Sequence, residues 1–200
     1  MNKEKETKAD NKLFFLEKQT ITLENFESQG LILDIGGGGE GVIGQLKGEQ
    51  VVAIDKSLEE LEEAEPGPLK IQMDASALKF LDESFRQVTA FYGLMFMKPA
   101  LQKAVLKEVF RVLKPGGVFH IWDIQVESPG LQSTSGFAFY LTVNMPGKTI
   151  ETGYGFHWPD RIQDIDYYRK IVVESGFDIL DEQITGLSFL LRLQKPEIPK

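Results

Sequence analysis

Short continuous runs of apolar residues recur along the first two thirds of the chain and are separated by segments of different periodicity. The runs occupy residues 31–35, 51–55, 69–73, 87–92 and 118–126. Continuous rather than alternating apolar residues are typical of parallel strands that are buried on both faces. We therefore predict five strands of a parallel sheet in these segments.

The segments between these runs carry helix signals. In residues 57–64, Ser57 is followed three positions later by Glu60, which is the pattern of a capping box. Residues 99–113 have apolar positions at helical spacing, begin with a proline suited to the first helical turn, and are followed by a Lys-Pro-Gly-Gly turn. Strands that alternate with helices predict a parallel sheet covered on both faces.

The alternation of apolar runs and helix signals ends after residue 126. Residues 137–143 and 149–156 flank a turn segment and predict a hairpin or a pair of extended loops. Residues 160–175 predict a helix that a glycine ends, and residues 177–184 and 187–193 predict a terminal strand pair.

A chain of 200 residues is long enough for one domain with a hydrophobic core. Residues 1–12 predict a flexible, solvated tail, followed by a short amphipathic segment that carries Phe14 and Phe15. We expect a single domain over residues 13–200, with residues 136–156 as a substrate loop or hairpin insertion.

Composition and charge exclude several classes of site. The chain has no cysteine, which excludes disulfides, thiolate metal sites and cysteine nucleophiles. It has two histidines, His120 and His157, so no histidine-rich metal centre is expected. No apolar run is long enough for a secretory signal or a membrane span, and we expect a cytoplasmic protein. The net charge of -8 disfavours nucleic acid as the main partner, because phosphate binding needs a basic surface.

The first predicted strand ends in a glycine cluster. Asp34 and Ile35 lead into four consecutive glycines and a fifth at position 41. A strand followed by glycines and a helix allows the backbone to approach a nucleotide closely. Gly36, Gly38 and Gly41 also satisfy the G-x-G-x-x-G spacing of dinucleotide sites, so the cluster alone leaves an NAD(P)-dependent oxidoreductase open.

Asp55 ends the second predicted strand, 21 residues after Asp34. A carboxylate at this position can accept hydrogen bonds from both hydroxyls of a ribose. The alternative is that Asp55 caps the helix that begins near Ser57.

Four ordered segments resemble motifs of the class I S-adenosylmethionine-dependent methyltransferases. They are Leu33-Asp34-Ile35-Gly36, Ala53-Ile54-Asp55, the segment MDASAL at 73–78, and the segment RVLKPGG at 111–117. The resemblance covers residues 31–126 well and the terminal strand pair loosely. It implies a Rossmann-like α/β fold with a seven-stranded, mostly parallel sheet, helices on both faces, strand order 3-2-1-4-5-7-6 and an antiparallel last strand.

The resemblance also implies S-adenosylmethionine as the cofactor and assigns residues to it. Asp34 would lie near the amino group, the glycines would pass the methionine part, and Asp55 would hold the ribose hydroxyls. Lys56, Asp74 and Ala75 would contact the adenine, and Phe91 and Tyr92 would lie beside the methionine arm. The implied cofactor-binding residues are Asp34, Gly36, Gly37, Gly38, Asp55, Lys56, Asp74, Ala75, Phe91 and Tyr92.

Two departures from the family pattern bear on function. The third glycine of D-x-G-x-G-x-G falls at Glu40 and a glycine follows at Gly41, which leaves open a loop shifted by one residue. Residues 90–94 lack the Asp/Asn-Pro-Pro-aromatic tetrapeptide of enzymes that methylate amino groups of DNA bases. This absence agrees with the acidic charge in disfavouring nucleic acid.

Methyl transfer mainly requires that a nucleophile be aligned with the cofactor, and a general base is needed only where the nucleophile must lose a proton. Catalytic residues are therefore not evident from motifs, and His157 and Tyr92 are the candidates. The alternative for His157 is that it packs at the start of the next helix. His120 lies within a predicted strand, so we expect it to be buried and hydrogen-bonded.

Residues 136–156 are expected to fold over the carboxyl ends of the strands and to surround an apolar or aromatic substrate with Phe139, Tyr140 and Tyr154. A homodimer contact is the competing interpretation of the same residues. The sequence thus predicts methyl transfer to a small-molecule acceptor. A non-catalytic S-adenosylmethionine-binding regulator or partner subunit is the alternative, and an NAD(P)-dependent oxidoreductase is a distant one.

Overall fold

The computed structural model describes residues 13–126, 136–156 and 163–197. Its strands, in chain order, are β1 (Leu13–Phe15), β2 (Gln19–Thr22), β3 (Ile32–Ile35), β4 (Val51–Asp55), β5 (Leu69–Gln72), β6 (Phe85–Phe91), β7 (Leu113–Ile124), β8 (Gly136–Met145), β9 (Lys148–Phe156), β10 (Asp178–Thr185) and β11 (Ser188–Gln194). Its α-helices are α1 (Val42–Lys47), α2 (Leu58–Glu63), α3 (Pro99–Val112) and α4 (Ile165–Glu174). In the described part of the chain, no helix is long and apolar enough to cross a membrane.

Seven of the strands form one sheet in the order β10-β11-β7-β6-β3-β4-β5. All neighbours are parallel except that β11 runs antiparallel to both β7 and β10. Read from β5, this is the predicted order 3-2-1-4-5-7-6 with the last strand antiparallel, so the predicted fold class is confirmed. The continuous apolar runs correspond to strands such as β3, in which every residue is buried.

The helices begin where the sequence signals them. The Ser57 hydroxyl accepts a hydrogen bond from the Glu60 amide at 3.2 Å and caps α2. Pro99 starts α3, which ends at Val112, just before β7. The helix predicted over 160–175 begins at Ile165 instead. Asp164 has an extended backbone and is the N-cap of this helix, and its carboxylate accepts a hydrogen bond from the Tyr167 amide at 2.7 Å.

A second, four-stranded sheet lies beside the central one. β8 and β9 form an antiparallel hairpin, and β1 and β2 pair in parallel with β8. The N-terminal segment, predicted only as amphipathic, is therefore extended. In β2 the side chains of Gln19 and Ile21 are buried while Thr20 and Thr22 are exposed, which is the two-residue period of a half-buried strand.

The central sheet has a hydrophobic core on each face, and the small sheet contributes to one of them. Alternate residues of β7 face opposite sides, so that Phe119 and Ile121 pack in the core that contains α3 and α4 residues. Trp122 and Ile124 belong to the other core, together with Phe139 and further residues of β8. The hairpin thus packs on one side of the central sheet, close to the ends of its strands.

Candidate active site

A cleft of about 830 Å³ lies at the carboxyl ends of β3, β4 and β6. The chain moves from β3 outward to β4 and β5, and then returns to the other side of β3 as β6. This is the topological switch point of the sheet, where open α/β folds bind their ligands. Its volume is within the range of small-molecule sites.

The cleft brings together most of the residues that the sequence singled out. All the implied cofactor-binding residues except Gly37 line it. Its lining also includes Gly153 and Gly155 from the predicted segment 136–156. The sequence assigned no site role to the lining residues Glu40, Glu60, Glu63, Met73, Phe96, Met97, Leu101 and Val105. His157 lies outside the described residues.

The glycine loop is packed tightly against its neighbours. The amides of Gly36 and Gly37 both donate to the Ile54 carbonyl, at 2.9 and 3.0 Å. A Cβ on Gly37 would lie 2.8 Å from the Ala53 Cβ, and one on Gly38 would lie 2.6 Å from the Glu60 Cβ. Gly37 therefore packs on β4, while Gly38 packs on α2 and also lines the cleft, where it has no side chain to fill the space.

Asp34 is buried at the end of β3. Its Oδ1 accepts a hydrogen bond from the Thr89 hydroxyl at 2.7 Å. Burial raises the pKa of this carboxyl to about 7, the Thr89 hydrogen bond opposes the rise, and the charge of Asp55 adds to it. A bound cation would favour the ionised form of Asp34.

The Asp55 carboxylate lines the cleft and does not cap α2, because Ser57 is the N-cap of that helix. Its Oδ1 accepts from the Ser57 amide at 2.9 Å, at the start of the turn into α2. A Cβ on Gly38 would lie 3.2 Å from its Oδ2, so this second oxygen lies beside the glycine loop, at the cleft. One oxygen thus orders the local turn while the other can still accept a ligand hydroxyl.

Asp74 forms the next part of the same wall. Its Oδ1 accepts from both the amide and the hydroxyl of Ser76, at 2.9 and 2.6 Å. These two hydrogen bonds hold the pKa of Asp74 below its usual range. The ammonium of Lys56 lies 3.8 Å from Asp74 Oδ2 and is mostly exposed to solvent.

The charge of the cleft is strongly negative. Six carboxylate side chains line it, from Asp34, Glu40, Asp55, Glu60, Glu63 and Asp74, whereas Lys56 is the one basic residue among the described lining residues. Burial, followed by the charges of neighbouring acids, raises the pKa of Glu60. Such a cleft favours a cationic ligand and disfavours a pyrophosphate. No group of three or more histidine, aspartate or glutamate side chains is arranged to hold a metal ion within the described residues.

Tyr92 follows β6 directly and is almost fully buried. Its φ angle is 50°, which is rare for a residue with a side chain and is often found at functional sites. Its hydroxyl donates to the Ser188 hydroxyl at 2.6 Å, and burial raises the pKa of the phenol above its ordinary value. Because this hydroxyl is bound to a residue that does not line the cleft, Tyr92 contributes its ring rather than a free base.

Aromatic side chains enclose the other end of the cleft. The rings of Tyr92 and Tyr154 are stacked, with centroids 5.7 Å apart and planes inclined by 22°. Phe96 meets Tyr154 edge-on at 6.1 Å. Tyr154 belongs to β9, so the hairpin contributes one wall of the cleft. Of the predicted group of Phe139, Tyr140 and Tyr154, only Tyr154 lines the cleft. Phe139 is buried in the core behind Tyr154, and Tyr140 is 62% exposed on the opposite face of the hairpin.

His120 lies apart from the cleft lining, in the middle of β7. Its ring stacks on Trp122 and contacts Phe26, and its Nδ1 is 3.2 Å from the Gln87 side-chain amide. Burial lowers the pKa of His120 to about 4, so the ring is neutral at physiological pH. It is the buried, hydrogen-bonded histidine that the sequence predicts.

Comparisons with known proteins agree with this geometry. A family model described as a methyltransferase domain matches residues 33–121. The chain is 40% identical over 87 residues to a demethylmenaquinone methyltransferase of Lysinibacillus sphaericus, a match that covers 42% of this chain and 36% of that protein. It is 28% identical over 113 residues to a ubiquinone/menaquinone biosynthesis C-methyltransferase of Neisseria meningitidis, covering 54% of this chain and 45% of that one. These matches span less than half the length of either relative.

The fold has a counterpart among solved structures. An S-adenosylmethionine-dependent methyltransferase from Methanosarcina mazei superimposes with a TM-score of 0.65 at 21% identity, covering 86% of this chain and 95% of that one. The cleft also fits the cofactor, because it joins a bare glycine backbone to an acidic wall suited to a cation. The methyltransferase-domain match thus covers the glycine loop and strands β4, β5 and β6 in full, and the fold is the one found in this solved S-adenosylmethionine-dependent methyltransferase.

Proposed function

We propose that this protein transfers the methyl group of S-adenosylmethionine to a small, planar aromatic acceptor. The observation that carries the proposal is the continuity of the cleft, which has an acidic end at the glycine loop and an aromatic end at Tyr92 and Tyr154. A cationic nucleoside suits the first end, and a flat apolar ring suits the second.

At the acidic end, three strand ends would bind the cofactor. Asp34, at the end of β3, would receive the ammonium group, and Asp55, at the end of β4, would accept from the ribose hydroxyls. Asp74, whose Oδ1 is held by Ser76, would present Oδ2 to the exocyclic amine of the adenine. When bound, S-adenosylmethionine supplies an electrophilic methyl group on a sulfonium, so the remaining task of the protein is alignment.

At the aromatic end, the acceptor would lie against ring faces. Phe96 and Tyr154 offer such faces, the buried ring of Tyr92 supports Tyr154 from behind, and Met97 and Leu101 add apolar surface. Burial between apolar walls excludes water, which would strengthen the attraction between the carboxylates and the cofactor. If the acceptor is an aromatic carbon, the new C–C bond replaces the S–C bond, and the ring proton leaves to solvent.

The relatives support this class of acceptor. Both curated relatives are named for methyl transfer in quinone biosynthesis, and one is named for demethylmenaquinone. A hydroquinone has the flat shape and electron-rich ring that the aromatic end would accept. A small-molecule acceptor also agrees with the net charge of -8, which disfavours nucleic acid. The cytoplasmic location and the homodimer remain predictions from the sequence.

The first test is ligand-dependent thermal unfolding of the whole chain. S-adenosylhomocysteine at about 100 times its dissociation constant should stabilise the protein by about 2.7 kcal/mol, which raises the unfolding midpoint by roughly 5–10 °C. NAD and NADP should give no shift, because the acidic cleft repels a pyrophosphate.

The second test is transfer of a radiolabelled methyl group to a panel of hydroquinones, catechols, aliphatic amines and RNA. Label in a hydroquinone or catechol supports the proposal. Label only in amines or RNA would refute the acceptor class. Binding of S-adenosylhomocysteine without label in any acceptor would favour the non-catalytic alternative, and a thermal shift with NAD alone would favour hydride transfer.

A further inference from the structure

We infer that Glu40 is a positioning residue that fastens the hairpin to the glycine loop and thereby fixes Tyr154 as the acceptor-facing wall. The inference rests on the proposed function. It starts from an oddity of the sequence, since Glu40 stands where the family pattern has its third glycine.

The Glu40 carboxylate bridges two distant parts of the chain. Oε2 accepts from the Tyr154 hydroxyl at 3.2 Å, and Oε1 accepts from the Thr152 hydroxyl. These partners lie 114 and 112 positions away along the chain, on the inward face of β9. Neither hydroxyl belongs to the central sheet, so the contact joins the glycine loop directly to the hairpin.

The Tyr154 ring is held in one orientation by its surroundings. It stacks on Tyr92, and it packs edge-on against Phe96 and Phe139, with centroid distances of 6.1 and 5.7 Å. Burial, and then the adjacent carboxylate of Glu40, raise the pKa of this phenol above its ordinary value. The phenol therefore stays protonated and remains a donor to Glu40.

The position of Glu40 gives the contact a role in the reaction. Glu40 lies between Gly39 and Gly41 and lines the cleft together with Tyr154. A carboxylate at this point can orient the wall that faces the acceptor while its own backbone belongs to the loop that would contact the cofactor. One side chain thus links the glycine loop to β9. Because a ligand that orders the glycine loop would also hold Glu40 in place, cofactor binding should order the hairpin.

Two control variants separate this role from simpler ones. Glu60→Gln removes a carboxylate that also lines the cleft, yet the Glu60 side chain has no hydrogen bond to β9 among the described contacts. Glu151→Gln removes a carboxylate on β9 itself, which is exposed and pairs with Lys18 at 3.1 Å. The first controls for the charge of the cleft and the second for a charge change on the hairpin.

The first measurement is hydrogen exchange of the whole chain, which needs no acceptor. In the wild type, S-adenosylhomocysteine should slow amide exchange in residues 148–156. In Glu40→Gln and Tyr154→Phe, the same amides should exchange faster, and the ligand should protect them less, while exchange in β3 and β6 stays unchanged. Equal protection of residues 148–156 in the wild type and both variants would overturn the inference, whatever acceptor is eventually found.

The second measurement uses the acceptor found in the transfer assay. Glu40→Gln and Tyr154→Phe should each raise the acceptor KM by about 10-fold or more, the effect expected for losing a hydrogen bond to a charged group. The double variant should be little worse than Glu40→Gln alone, because Glu40→Gln removes the charged acceptor that Tyr154 shares with Thr152. Glu60→Gln should weaken cofactor binding without this change in KM, and Glu151→Gln should behave as the wild type. Equal changes in acceptor KM in Glu40→Gln and Glu60→Gln would reduce Glu40 to a general charge effect and refute the assignment.

Discussion

The ionised carboxylate of Asp34 should destabilise the ligand-free protein, and Asp34→Asn should remove that cost. The side chain is fully buried, and burial raises its pKa from 3.8 to about 7. At 1.36 kcal/mol per pKa unit, this rise corresponds to about 4 kcal/mol between the protonated and ionised forms. The favourable contribution of the protonated form is complete below the unfolded-state pKa and is lost as the pH rises through the folded-state pKa.

The magnitude over an accessible pH range follows from the two pKa values. Between about pH 5.5 and about pH 8, proton linkage removes about 2 kcal/mol from the free energy of unfolding of the wild type through this group alone. Asp123 is also fully buried and its pKa is likewise raised to about 7, so its contribution declines in the same direction. Asp34→Asn should therefore abolish only the part of the decline that comes from Asp34.

The assay is urea unfolding of wild type and Asp34→Asn at these two pH values. The free energy of unfolding of the variant, minus that of the wild type, should increase by about 2 kcal/mol from the lower to the higher pH. Asp178→Asn, which removes an exposed carboxylate at the start of β10, serves as the control and should change stability by less than about 0.5 kcal/mol at both pH values. A difference between Asp34→Asn and wild type that does not change with pH would refute the argument from burial.

Three further predictions concern the same site. The affinity for S-adenosylhomocysteine should rise about tenfold from about pH 6 to about pH 8 as Asp34 ionises to meet the ammonium, and calorimetry on Asp34→Asn should show no such rise. Asp55→Ala should abolish the thermal shift caused by S-adenosylhomocysteine. Ser57→Ala should cost about 1 kcal/mol of stability and keep the shift. Loss of the shift in both variants would mean that ligand binding depends on the capped start of α2 and not on the Asp55 carboxylate. Tyr92→Phe removes the 2.6 Å hydrogen bond to Ser188 and should cost about 1–2 kcal/mol in urea unfolding while calorimetry shows unchanged ligand affinity.

The central sheet could be predicted because each of its strands carries its own local signal. A continuous apolar run marks β3 and β4, and a helix signal or a glycine turn separates successive strands. Most residues of the acidic side of the cleft could be predicted to lie together for the same reason, since they lie at or directly after strand ends. In a parallel sheet of this kind, the residue that ends a given strand lies at a fixed place relative to the bound ligand. The place of that residue in the site can therefore be predicted from the local sequence.

Of the small sheet, the β8–β9 hairpin was predicted, as one of two alternatives, and is confirmed. The strands β1 and β2 could not be predicted, because their pairing depends on contacts that are distant in sequence. β1 has three residues and β2 has four, which is too short for a clear period, and both pair with β8 more than a hundred residues later. The Glu40 contact to β9 is hidden in the same way. The local sequence shows only that an acidic residue, Glu40, interrupts the glycine cluster. It does not show that this residue contacts β9.

The least favourable local arrangements of this chain are concentrated around the cleft. Tyr92 has a backbone conformation that suits glycine, and Glu60 lies among like charges. Asp34 is buried and forms no ion pair with any of the residues that the structure describes. Each of these costs stability in the ligand-free protein, and a fold optimised for stability alone would remove them. A positively charged ligand would reverse two of them, because it compensates the buried carboxylate and reduces the repulsion among the acids. The free energy of binding a cationic cofactor would therefore come partly from relieving costs already present in the fold. The ammonium that would meet Asp34 is present in both S-adenosylmethionine and its thioether product, so a preference for the sulfonium form would come from the reduced repulsion among the acids.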